Sequence, residues 1–99
     1  FSQWNYSDAI AEGETPAGVA NILQWVPTPW MPQAQEMVGK WVATAPAEKH
    51  AEIYKEMAGE LFRLDKATQW NGGIRKAAVE VAKAWDVKSQ EILLGGLGI

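Results

Sequence analysis

Apolar residues recur along this chain at helical spacing, and no segment alternates as a half-buried strand would. The clearest stripe is Ile53, Tyr54, Met57, Ala58, Leu61, Phe62 and Leu64, with Lys49, Glu52, Lys55, Glu56, Glu60 and Arg63 on the opposite face. Charge pairs at three-residue spacing, such as Glu52–Lys55 and Glu60–Arg63, add only ~0.2–0.5 kcal/mol each, so burial of the stripe must hold the helix in place. Thr44-Ala45-Pro46 restarts the chain before this helix, which is predicted to end near Leu64.

The same reading places the other elements. Ser7 with Asp8 predicts a cap for a short turn from Ala9 to Glu12, stopped by Gly13. Thr15-Pro16 supplies a cap and a proline at the first helical position. Val19, Ile22, Leu23 and Val26 follow on one face, with Trp25 beside them. Pro27, Pro29 and Pro32 then predict a rigid elbow carrying Trp30 and Met31, because proline fixes φ and restricts its predecessor. A helix from about Pro32 to Ala43 follows, with Ala34, Met37, Val38, Trp41 and Val42 on its apolar side. After a polar link from Asp65 to Gly73, Ile74, Ala77, Ala78, Val81, Ala82 and Trp85 predict another helix whose alanines admit a close neighbour. A last short helix, Lys88 to Leu94, gives way to the apolar, glycine-rich Gly95–Ile99.

These elements predict an all-α fold, a compact array or bundle of about four main helices plus one or two short helical turns. Residues 1–99 form a single domain, with 1–14 and 95–99 as peripheral or partner-bound tails. Short connections and the proline elbow favour an array over long parallel helices.

Composition narrows the chemistry. Hydrophobic residues make up 47% and charged residues 21%, the balance of a folded domain rather than a disordered chain. No apolar run approaches the ~18 residues of a membrane span. The net charge of −3 lies wholly before Pro46, beyond which acids and bases balance. Neither half has the basic excess that nucleic-acid backbones attract. With no cysteine there is no disulfide framework to read. A first residue of Phe rather than Met fits either a cleaved leader of an exported or organellar protein or an excised domain.

Few residues offer catalysis or metal ligation. His50 is the sole histidine; Glu48 and Glu52 stand two residues from it, on other sides of a helix, and no Glu-x-x-His pair exists. Glu52, Glu56 and Glu60 alternate with bases opposite the apolar stripe and read as a solvated face. Asn71-Gly72-Gly73 before Arg75 and Lys76 matches no phosphate-binding spacing and reads as a connector. Neither an enzyme nor a bound cofactor or metal is expected. Val81-Ala82-Lys83-Ala84-Trp85-Asp86-Val87-Lys88-Ser89-Gln90-Glu91-Ile92 resembles a helix-turn-helix core, which implies a corner at Trp85-Asp86 and nucleic-acid binding. It departs from that pattern by placing Trp-Asp where a small residue and glycine are usual. Its second helix, from Ser89 to Leu94, also has no basic residue to meet phosphates.

Six tryptophans in 99 residues exceed what so small a core requires. Each brings ~200 Å² of apolar area and an indole N–H. Trp41 and Trp85 extend apolar stripes and are expected inside. Trp25, Trp30 and Met31 are expected close together on the elbow as a partner- or ligand-binding platform, and Trp4 and Trp70, in polar segments, as partly exposed members of the same set. The leading expectation is a non-catalytic protein-interaction or assembly domain, a subunit or module that binds a protein partner or itself. A bundle that binds an apolar small molecule such as a lipid, pigment or hydrophobic cofactor is the alternative. A nucleic-acid-binding helix-turn-helix is the second alternative.

Overall fold

Thr15 Oγ1 accepts the Gly18 N–H at 3.0 Å, and Pro16 opens the helix that follows, as the sequence predicts. The computed structural model describes residues 5–97, and among them every regular element is helical. The order is α1 (Tyr6–Ala11), α2 (Pro16–Leu23), α3 (Met31–Ala43), α4 (His50–Ala67) and α5 (Lys76–Leu97). Single 3₁₀ turns at Thr28–Trp30, Ala47–Lys49 and Gln69–Asn71 lead into α3 and α4 and out of α4.

Helix α4 is the axis of the molecule, packed along α5 and against α2. Its buried residues are Ala51, Ile53, Met57, Ala58 and Leu61, most of the predicted stripe, whereas Phe62 stands off it and is exposed. Ala58 of α4 and Ala78 and Ala82 of α5 are all buried in the core that these two packed helices share, and such small side chains form a seam that lets helices approach. Ser89 Oγ, itself buried, donates to the Ala51 carbonyl at 2.7 Å and fixes the register of the pair. Trp41 and Trp85 lie in the core, as expected. Trp41 also stacks at a tilt on Tyr6 of α1, with ring centroids 5.2 Å apart.

Three local expectations are corrected. The first helix is capped by Asn5, whose Oδ1 accepts the Asp8 N–H, so it starts earlier than a Ser7 cap predicts. Helix α4 continues to Ala67, into the segment predicted as a polar link. The corner at Trp85-Asp86 does not form: α5 runs unbroken from Lys76 to Leu97, through Gly95-Gly96, in place of two helices, and Gly98 and Ile99 of the predicted tail lie outside the described residues. Ala78, Val81, Ala82, Trp85 and Ser89 hold one buried line across the supposed turn, and no glycine or proline interrupts it. The helix-turn-helix likeness therefore has no structural counterpart. Beyond Ser89 no described side chain of α5 is buried, and Leu93 and Leu94 are exposed on the overhanging turns.

Candidate functional site

The elbow between α2 and α3 is built as its prolines dictate. Pro27 is extended at ψ 141, the 3₁₀ turn Thr28–Trp30 reverses the chain, and α3 begins at Met31 with Pro32 in its first turn. No residue of the 3₁₀ turn is buried, and Trp30 is 65% exposed. Met31 corrects the expectation of a surface platform. It is only 5% exposed, because as the first residue of α3 it falls on the same buried line as Val38 and Val42.

Trp25 and Trp30 are both exposed, at 70% and 65%, but they do not share a platform. Trp30 closes one end of an apolar groove of about 380 Å³ between α2 and α3. Ile22, Leu23 and Val26 form one wall; Ala34, Met37 and Val38 form the other, with Gln33 as the single polar lining residue. Ile22 and Leu23 close α2 and Val26 follows in the turn beyond it, while Ala34, Met37 and Val38 fall at i, i+3, i+4 on α3. Ile22, Trp30 and Met37 are each more than a third exposed, so the groove opens sideways to solvent. Trp25 instead lines a smaller hollow of about 210 Å³ with Gln24, Thr68, Asn71, Gly73, Ile74 and Arg75. Five residues of chain and the turn between them send the two indoles to different hollows.

Trp70 is exposed, as expected, and at 84% is the most exposed tryptophan among the described residues, on the 3₁₀ turn after α4. The turn is held from within. Gly72 and Gly73 both have positive φ, +90 and +78, and the Asp65 carboxylate accepts the Ile74 N–H at 3.1 Å. Arg75 Nη1 donates to the Val26 carbonyl at 3.1 Å, tying this turn to the end of α2. Trp4, the remaining candidate, lies outside the described residues.

The titratable groups have structural work. His50 Nε2 donates to the Ala45 carbonyl at 2.9 Å, which sets its tautomer and braces the start of α4. Glu52 and Glu56 are exposed, whereas the Glu60 side chain is only 14% exposed and takes a bidentate pair from Arg63 at 2.6 and 3.1 Å. The Arg63 guanidinium holds the Glu60 carboxyl below its ordinary range, with a smaller pull from Asn21 on α2. Burial pushes the Tyr54 phenol up. Among the described residues no three His, Asp or Glu side chains gather as a metal site would require. Sequence reasoning missed the α2–α3 groove as a site, although its walls are the two apolar stripes it identified on either side of the elbow.

No family model, no curated protein and no solved structure matches this chain.

Proposed function

We propose that this chain is a non-catalytic protein-interaction domain, whose α2–α3 groove takes the apolar face of a helix from a partner protein. The groove carries the reading. It is a two-walled apolar trough without a charged lining residue, stopped at one end by a largely exposed indole. Recognition of this kind uses side chains at helical spacing laid into such a trough, with a central aromatic or Met contact supplying most of the affinity. Met37 adapts to the incoming shape, and Trp30 sits on an elbow that its prolines have already ordered, so binding costs little conformational entropy.

Photo-crosslinking tests this directly. Gln33, at the groove's rim, is replaced by a benzophenone amino acid and the chain is expressed in its source cells. A discrete crosslinked protein is expected, lost when Met37→Glu puts a carboxylate in the trough and retained with Trp70→Ala outside it. Crosslinking that survives Met37→Glu, or no discrete product, overturns the reading.

The volume of the groove favours a second reading, an apolar small molecule, since ~300 Å³ is enough for a compact ligand. Ligand sites bury ~70–90% of the ligand, however, and this trough is open along one side. Solvent extraction of the untagged protein followed by mass spectrometry separates the two. A stoichiometric apolar compound would favour the second.

A further inference from the structure

The loop after α2 and the loop after α4 meet at one end of the bundle. The Arg75–Val26 hydrogen bond joins them, and both contribute walls to the hollow beside Trp25. Although 21% of the chain is charged, residues 15–35 contain no charged side chain, and neither do residues 67–74. This end therefore presents Trp25 and Trp70, both mostly exposed, on uncharged loops stiffened by proline on one side and the glycine turn on the other.

The charged side chains around it are mostly basic, with the Asp65 carboxylate as the exception. Lys66, Arg75 and Lys76 are exposed, and none belongs to an ion pair among the described residues. The neighbouring acids are engaged: Asp65 caps Ile74, and Glu36, Glu60 and Glu80 each pair with a base on their own helix. Exposed Glu56 stands about 15 Å along α4 from Lys66, and the exposed acids Glu48 and Glu52 lie at the opposite end of the helix, whose 18 residues span about 27 Å. That is roughly three Debye lengths at physiological salt, so they barely oppose an anion at this end.

We infer that this end of the bundle docks peripherally on a bilayer rich in anionic lipid. The Trp25 and Trp70 indoles enter the headgroup boundary, and Lys66, Arg75 and Lys76 face the lipid phosphates. An indole suits that boundary because its ring is apolar while its N–H reaches water or a headgroup. Exposed indoles inside a basic rim combine the two attractions that hold interfacial proteins, apolar area and anionic headgroups. Docking is end-on and surface-bound, for among the described residues no helix is long and apolar enough to cross a membrane. It leaves the α2–α3 groove, a separate hollow, open to a protein partner.

Co-sedimentation with vesicles tests the inference. The chain is mixed with phosphatidylcholine vesicles, with and without phosphatidylserine, and tryptophan quenching by brominated lipid is followed in parallel. Binding is expected only to the phosphatidylserine vesicles, weakening as salt rises. Arg75→Gln, Lys66→Gln and Lys76→Gln should each lower partitioning about fivefold, whereas Arg75→Lys, which keeps the charge, should retain it. Trp25→Ala with Trp70→Ala should abolish bromolipid quenching, with helical circular dichroism intact in every variant compared. Met37→Glu, which blocks the groove, should leave vesicle binding unchanged, so this proposal and the groove reading fail separately. No sedimentation with anionic vesicles, equal binding to neutral ones, or quenching that survives loss of both indoles overturns the inference. The first of these outcomes would assign the exposed indoles to a protein surface instead.

Discussion

Gly72 and Gly73 offer a paired measurement of how the turn between α4 and α5 is held. Both have positive φ, but their surroundings differ. A Cβ on Gly72 would meet open space, whereas one on Gly73 would run into the Asp65 carboxylate that accepts the Ile74 N–H. An L side chain in the left-handed region costs about 1–2 kcal/mol. The smaller entropy of the unfolded alanine chain offsets roughly 0.4–1 kcal/mol of that, so Gly72→Ala should destabilise by about 1 kcal/mol. Gly73→Ala bears the same backbone cost and also displaces Asp65. A half-exposed hydrogen bond to a charged acceptor contributes about 1–2 kcal/mol, which brings the expected total to about 2–3 kcal/mol. Against a typical domain stability of ~5–15 kcal/mol this is large. Urea denaturation followed by circular dichroism should resolve the two variants. In an Asp65→Ala background the cost of Gly73→Ala should fall to that of Gly72→Ala, since the displaced partner is already gone. Equal costs at the two glycines, or strict additivity with Asp65→Ala, would refute this account of the turn.

Two further outcomes follow from α5 and from Glu60. Ala84 is exposed in mid-helix, so Ala84→Pro should cost about 3 kcal/mol in a thermal or urea melt; a tolerated proline would mean that a corner does exist beside Trp85. The folded pKa of Glu60 is lowered, mainly by Arg63, so its stabilising contribution is complete above the unfolded carboxylate pKa and disappears as pH falls through the lower folded one. Urea midpoints of the parent and Glu60→Gln should therefore differ at neutral pH and converge in acid, and a gap that persists in acid would contradict that assignment.

What the sequence discloses here depends on how local the cause is. The Thr15-Pro16 cap and the α4 stripe were legible because neighbours within one or two turns determine them. Met31 lies seven residues from Val38 on one helix face, a burial signal masked by the flanking prolines, which fit a surface loop equally well. At Trp85-Asp86 a likeness over a dozen residues outweighed the plainer signal, the unbroken line from Ala78 through Ser89 with no helix breaker. Trp25 and Trp30 are a different case. Their spacing brings them close along the chain, but only the packing of α2 against α4 and the tether from Arg75 decide that they face different hollows. The meeting of the Trp25 and Trp70 loops, 45 residues apart by their numbers, is likewise a product of tertiary structure.

The alanine seam between α4 and α5 has a consequence for the order in which the molecule assembles. Only residues 68–75 separate those helices, whereas Asn21 reaches Glu60 across 39 positions of chain. Closing the longer loop costs about 1.4 kcal/mol more chain entropy. The C-terminal hairpin is thus the local, early-forming part of the topology. By the same reasoning the N-terminal half, elbow and groove included, is laid onto a template already made, so the groove takes shape on the part of the chain that arrives last.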